Sequence, residues 1–421
     1  MKLSRILLTP WHYLYTSNPF YLISACLVLY GLQQAAAAEG GLTGGWLMSG
    51  LISGYLVLLA VTGFVVVKFG RVWDDARTIL LGLILIDLAL AINIDQVTVD
   101  DPVRGAVFIS LGLALSVAIT EGLLWGLRIR LEAIYRGPFY AILIVLFSYP
   151  IWLGYCSSQQ SATWDQRMLE GVAWFPVLAG CALLSLWPAA HFGKTRNRDT
   201  GTPWSWPVFP WTLFFALAAA LALRAFSICY GFDNVGGGQT SWRPYQWIPI
   251  LMASAVVLLE LSVQARHQLA IWFACSIPLS LTLLAFPGSS NGAAAQQLIT
   301  IVQQHHISPA LFTVYAALAF YSMALLRGIK AAECGLIISA LLLGFVSKST
   351  LNLHDLWTAP KIWSLDLLAV GLIAVGVSRR TAWRSMLGTA IGIYSMTLRG
   401  ETSGLSAPDY VFFHLIVIGL F

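Results

Sequence analysis

Long apolar runs alternate with short polar stretches along the whole chain. A helix needs about 20 apolar residues to cross the hydrocarbon of a bilayer, and inside it every backbone group must be satisfied within the segment. Runs of this kind therefore predict membrane helices, at about 19–38, 46–67, 78–94, 103–125, 138–155, 171–191, 210–230, 245–264, 268–286, 309–327, 332–347, 362–378, 383–398 and 408–421. The runs at 332–347, 383–398 and 408–421 are short. The expected fold is an all-α, polytopic transmembrane helical bundle of about 14 spans. It forms a single transmembrane domain over 1–421, with residues 1–18 as a cytoplasmic or interfacial segment.

Composition agrees. The chain is 58% hydrophobic and only 10% charged, whereas soluble domains carry about 25% charged residues. In water such a surface would aggregate, and nothing is left over for a separate soluble domain. The net charge of +5 does not indicate nucleic acid, because Lys and Arg come in small groups between apolar runs, with no basic stripe and no recognition motif.

Those cations set an orientation instead. Counting loops alternately from a cytoplasmic N-terminus, the inner set is Lys2, Arg5, Lys68, Arg71, Arg77, Arg128, Arg130, Arg136, Lys194, Arg196, Arg198, Arg266, Arg327, Lys330, Arg379, Arg380 and Arg384. The outer set is Arg104, Arg167, Arg243, Lys348, Lys361 and Arg399, with Arg224 inside a span. The bias holds to the end of the chain, as cytoplasmic loops rich in Lys and Arg require, and it predicts both termini in the cytoplasm. Tryptophans mark the same boundaries: Trp46, Trp174, Trp211, Trp247, Trp363 and Trp383 open spans, and Trp125, Trp152 and Trp187 close them. Indole prefers the headgroup level.

The N-terminus has two readings. Lys2, Arg5, an apolar run and Ala36-Ala37-Ala38-Glu39 have the order of a cleavable secretory signal. Against it, about eighteen residues precede the run, including Pro10, Trp11, His12 and Tyr13, and that is long for a signal's first region. The stretch from Pro10 to Tyr15 suits the inner interface. At the other end the chain stops inside an apolar run at Phe421, which leaves a continuation open.

The segment Ser17-Asn18-Pro19-Phe20-Tyr21-Leu22-Ile23-Ser24-Ala25, followed by Leu27-Val28-Leu29-Tyr30-Gly31-Leu32, resembles the opening of uncharacterised multi-pass membrane proteins of bacteria. The resemblance spans about 16 residues, carries no chemistry, and implies a bacterial inner membrane. Locally, Asn18 can cap a helix and Pro19 can take its first position.

Ionisable groups inside spans are costly and mark function by default. Asp87, Arg224, Asp366 and Glu260 stand out. At 1.5 Å per residue, Asp87 is expected about 12 Å below the outer end of its span. Arg224 is expected about 9 Å and Asp366 about 8 Å below theirs, and Glu260 about 9 Å from the inner end. On one reading Arg224 meets Asp87 or Asp366 in a cavity that binds an anionic or zwitterionic solute, or couples its passage to protons. On the other it makes a structural ion pair, or snorkels outward. Glu260 and Glu121 are expected to be solvated near the inner interface, and Asn93, Asp95, Asp100 and Asp101 to form a solvated acidic outer loop.

Other patterns carry less. His305-His306 and His354-Asp355 hold metal-ligating types, but adjacent histidines are not a ligand motif, so no metal is assigned. Gly236-Gly237-Gly238 lacks the lysine of a phosphate loop, and no cofactor is expected. Gly50 and Gly54 have the four-residue step that lets helices approach closely. Pro176, Pro249 and Pro278 fall within spans and can kink or break them. The cysteines lie singly in or beside apolar runs; Cys156 and Cys229 are both at outer span ends, where a bridge competes with buried thiols.

The expected partners are the lipid bilayer, a small solute and protons, with no nucleic acid. The functional expectation is a secondary transporter or flippase for a small or lipid-linked solute, not an enzyme. Two alternatives stand beside it. One is a membrane-embedded, glycosyltransferase-like transferase acting on a lipid-linked substrate through Asp100 or Asp101. The other is a non-catalytic membrane subunit or sensor.

Overall fold

The computed structural model describes residues 23–31, 42–71, 73, 76–158, 162–192, 210–233, 244–285, 309–346, 369, 372–373, 376 and 382–403. Among them every regular element is helical. Residues 23–31 form a first helical stretch. After it come α1 (Leu42–Lys68), α2 (Ala76–Asp100), α3 (Pro102–Gly126), α4 (Ala133–Ser158), α5 (Ala162–Leu184), the short α6 (Trp187–Phe192) and α7 (Trp211–Asp233). A 3-10 turn at Pro244–Trp247 leads into α8 (Ile248–Gln264), followed by α9 (Gln268–Ala285), α10 (Pro309–Leu326), α11 (Ala331–Val346) and α12 (Ala382–Ser403).

Among the described residues, six stretches are long and apolar enough to cross a membrane: Trp46–Lys68, Thr78–Val99, Pro102–Gly126, Ala133–Cys156, Trp174–Phe192 and Trp211–Cys229. Ile248–Gln264, Gln268–Thr282 and Phe312–Leu326 are shorter apolar helices. The described residues are thus all-helical, with helices suited to a membrane. The helices extend past the expected boundaries where polar ends continue the same backbone hydrogen bonding. α5 starts at Ala162, well before the expected 171, and α2 runs on to Asp100, so the expected outer loop from Asn93 to Asp101 shrinks to a sharp corner. There Asp101 caps α3, its carboxylate accepting from Arg104 N–H at 3.1 Å, with Pro102 at the helix start.

By contact the chain divides into two compact units, Met1–Ile277 with Ser289–His306, and Pro278–Gly288 with Ile307–Phe421. In the first, α2 packs against α1, α3, α4 and α7, and it is the most buried of the six long apolar helices. Its core face carries Ile79, Leu83, Ile86, Leu90, Ile94 and Val97, recurring at the spacing that places residues on one side of a helix. In the second, α10 packs on α11. Arg384 of α12 donates to Glu333 of α11, Nε to Oε2 at 3.2 Å and Nη2 to Oε1. Arg384 is therefore a buried ion-pair partner and not an inner-loop cation.

Other local expectations are corrected. Gly50 and Gly54 face open space, since a Cβ built there meets nothing within 4 Å. Close approaches lie at other glycines, two of them against Thr98. A Cβ on Gly154 would lie 2.5 Å from Thr98 Cγ2 and 2.8 Å from its carbonyl oxygen, and one on Gly105 would lie 2.4 Å from Thr98 Oγ1. Pro249 starts α8, where its missing N–H costs nothing, while Pro176 and Pro278 sit inside helices. None of the six cysteines is in a disulfide; Cys156, Cys229 and Cys275 are buried, and Cys26, Cys181 and Cys334 are exposed. Trp46, Trp125, Trp152 and Trp174 are exposed, but Trp211 is buried against Tyr135 and Phe214.

The Thr98 contact yields a test. Gly154→Val should cost roughly 1–3 kcal/mol through overpacking, read as a lower melting temperature of the full chain in detergent. Gly54→Ala, in open space on a helix, should hold or slightly raise it.

Candidate functional site

Three of the four sequence-flagged residues lie in the first unit, and the structure separates them; Asp366 lies outside the described residues. Arg224, on α7, is fully buried. It meets neither Asp87 nor the headgroups but Asp95, on α2, in a two-pronged pair: Nη2 donates to Oδ1 at 2.6 Å and Nη1 donates to Oδ2. Its Nε donates to the Leu146 carbonyl on α4 at 3.1 Å. A planar guanidinium suits this arrangement, since its fork matches a carboxylate and a remaining N–H points elsewhere. Leu146 accepts although its carbonyl belongs to a helix, because a carbonyl oxygen has a second lone pair. Asp95 had been placed in the solvated loop; it is instead a buried helical residue, and sequence reasoning missed it as the partner. The signal was available in the apolar positions Ile94 and Val97, which continue the core face of α2 past Asn93. Asn93 itself donates to Ser49 of α1 at 2.7 Å.

Asp87 lies mid-helix, about 17 Å from Ala76 and about 20 Å from Asp100 along α2, and so is deeper than the shorter span implied. Ser116 of α3 donates to its Oδ1 at 2.6 Å, and the same hydroxyl lies 3.0 Å from the Gly112 carbonyl. One hydroxyl has one proton, so an ionised Asp87 and the Gly112 carbonyl compete for it. With a proton on Asp87 the competition ends: the carboxyl donates to Ser116, and Ser116 donates to Gly112. The Ser116 hydroxyl can therefore pair with either form of the carboxyl.

Asp87 borders a cavity of about 60 Å³ between α2, α3, α4 and α7, room for a few waters. Its walls are aliphatic, among them Leu83, Ile84, Leu123, Leu143 and Leu217, and Asp87 and Thr120 supply its polar side chains. Leu146 joins this cavity to the ion pair: its side chain lines the former and its carbonyl holds Arg224.

Glu260, on α8, is buried and not solvated as expected. Its Oε1 accepts from His191 Nδ1 of α6 at 2.6 Å. The imidazole is stacked on Trp187 with ring centroids 5.1 Å apart, and Gln264 Nε2 donates to the His191 carbonyl at 2.6 Å. These contacts fasten α6 to α8, well separated in sequence from the Asp87 cavity. Glu121 is partly exposed; it accepts from Tyr140 Oη and lies 3.8 Å from Arg136.

The three acids should respond differently when neutralised. Glu260→Ala, which removes the buried carboxylate paired with His191 Nδ1, should lower stability by about 1–3 kcal/mol. Asp87→Asn, which keeps a partner for Ser116, should change it by less than about 0.5 kcal/mol. Glu121→Gln, in an open and loose pair, should also be nearly silent, within about 0.5 kcal/mol. Tryptophan-fluorescence melting of the full chain in detergent ranks them, and a large loss from Asp87→Asn would mean that this carboxyl is structural.

No protein-family model, curated protein or solved structure matches the chain, so the functional reading rests on its own side chains.

Proposed function

We propose that this chain is a secondary transporter or flippase for a small or lipid-linked solute, and that Asp87 handles the coupling proton. In this reading it has about fourteen spans, with both ends in the cytoplasm, and resides in a bacterial inner membrane. The observation that carries the proposal is the cavity: one ionisable group, midway along a membrane helix, facing aliphatic walls. A carboxyl at that depth is expensive unless its charge state is used. The Ser116–Gly112 arrangement supports a group that alternates between charged and neutral forms. The cavity is too small for a sizeable solute, because ligand pockets usually enclose about 300–1,000 Å³. Passage of a solute therefore requires the cavity to widen, as it does when helices rock between two arrangements.

The transferase alternative gains no support. It needs Asp100 or Asp101 free to act, and Asp101 is committed to capping α3 and to an ion pair with Arg104 at 3.0 Å. Nothing in the described side chains favours the subunit alternative over transport.

The test uses proteoliposomes holding the full chain and a trapped pH-sensitive dye. Pools of small cationic, zwitterionic and anionic solutes are added in turn, and a fluorescent phospholipid reports leaflet exchange. Solute-dependent proton movement is expected, and Asp87→Asn should slow it by about tenfold or more. Equal rates in the two proteins would remove Asp87 from the pathway. Absence of both proton movement and lipid exchange would remove the transporter reading.

A further inference from the structure

Among the described residues, the non-glycine positions with positive φ are Arg71 (56°), Arg128 (57°) and Arg266 (52°), and all three are arginines. Each follows a helix: α1, α3 and α8 respectively. The left-handed region is strained for residues with a Cβ, and helices that end this way usually place Gly or Asn there. The hydrogen bonding identifies the motif at two of them. Arg128 N–H donates to Trp125 O at 3.2 Å and Ile129 N–H to Leu124 O at 2.9 Å. Arg266 N–H donates to Val263 O at 3.1 Å and His267 N–H to Ser262 O at 3.0 Å. This pair of bonds closes a helix through one left-handed residue.

The turn after α10, in the second unit, shows the unstrained version. Gly328, at φ 77°, occupies the left-handed position, with the same two bonds to Leu325 O at 2.8 Å and Ala324 O at 3.1 Å. Arg327 sits one residue earlier. A cation near a helix C-terminus favours the helix dipole, but Arg327 shows that this needs no cation at the left-handed position itself. At Arg71, Arg128 and Arg266 the cation itself takes the strained position, which calls for something beyond the dipole.

The neighbours show what that is. Each turn pairs its exposed arginine with a large apolar side chain that the protein leaves uncovered: Phe69 (71% exposed) beside Arg71, Trp125 (86%) beside Arg128, and Leu269 (76%) beside Arg266. The Gly328 turn repeats this with Leu326, 89% exposed. Alternation of the packed helices brings the turns after α1, α3 and α8 to one end of the first unit. An apolar anchor beside a forked cation at a helix end matches the boundary between acyl chains and phosphates, where guanidinium binds phosphate through two parallel bonds.

We infer that Arg71, Arg128 and Arg266 form binding sites for the headgroups of anionic phospholipids, with Phe69, Trp125 and Leu269 seated in the adjoining acyl chains. The inference does not require the transport reading, since the three arginines and their apolar neighbours do not line the Asp87 cavity, although Leu124 and Ile129 of the Arg128 turn do.

The test compares the wild-type chain with an Arg71→Gly, Arg128→Gly, Arg266→Gly triple variant and with the corresponding lysine triple. Melting is followed in neutral detergent, in phosphatidylcholine nanodiscs, and in nanodiscs in which a third of the lipid is phosphatidylglycerol. The wild type is expected to gain several degrees from phosphatidylglycerol and nothing from free inorganic phosphate in detergent. The glycine triple should melt about 2 °C or more above wild type in neutral detergent, because strain is relieved, yet lose at least half of the phosphatidylglycerol gain. The lysine triple should keep the strain but only part of the gain, because an ammonium meets phosphate as a point charge without the two parallel bonds. Absence of a phosphatidylglycerol effect in the wild type, or its full retention in the glycine triple, overturns the inference. A glycine triple less stable than wild type in neutral detergent overturns it too, because the arginines would then be structural. A gain from free phosphate equal to that from the lipid would show an anion site unrelated to the membrane.

Discussion

A guanidinium buried where no water reaches is the constraint on which the first unit depends. Removing Arg224 from water costs several kcal/mol, and only a partner of opposite charge with good geometry offsets that cost. Asp95 supplies the charge and Leu146 a third acceptor, so the requirement is met by α2, α4 and α7 together. None of these helices can slide or turn without exposing an unpaired charge to an apolar interior. Apolar packing between helices in lipid is weakly directional, because lipid tails are as apolar as leucine. The ion pair supplies the direction, and the glycine contacts around Thr98 fix how closely α3 and α4 approach α2.

That division of labour explains why two carboxyls on one helix behave so differently. Asp95 has its charge fully matched and is part of the frame. Asp87, two helical turns away, has a shared hydroxyl and borders a small cavity. Leu146 touches both, lining the cavity and steadying Arg224 through its backbone carbonyl. A rearrangement that opened the cavity would have to move α4, and the ion pair limits how far it moves.

Much of this was legible in the chain and some was not, for identifiable reasons. Helical membrane spans follow directly from the length of the apolar runs, and the deep positions of Asp87 and Arg224 follow from the same runs. Hydropathy averages over a window, so the polar group Asn93-Ile94-Asp95-Gln96 ended the span early and sent Asp95 to a loop. Helical period would have kept it, since Ile94, Val97 and Thr98 continue the buried face. Glu260 and Arg384 were placed near the interface because both lie close to a span end. Burial there depends on His191 and Glu333, and pairing between distant helices leaves no trace in a single sequence. The turns after α3 and α8 were equally hidden: nothing in Arg128 or Arg266 signals a left-handed backbone, because the residue types expected there are Gly and Asn.

The central claim is that Asp95 and Arg224 act as one unit that holds α2, α4 and α7 together. A double-mutant cycle with Asp95→Asn and Arg224→Gln, read by melting of the full chain in detergent, tests it most directly. Each single change should cost about 3–5 kcal/mol, because it leaves a buried charge unpaired. The double variant should cost far less than the sum, with a coupling of about 2 kcal/mol or more. Single losses below about 1 kcal/mol, or losses that add with coupling under about 0.5 kcal/mol, would contradict the account.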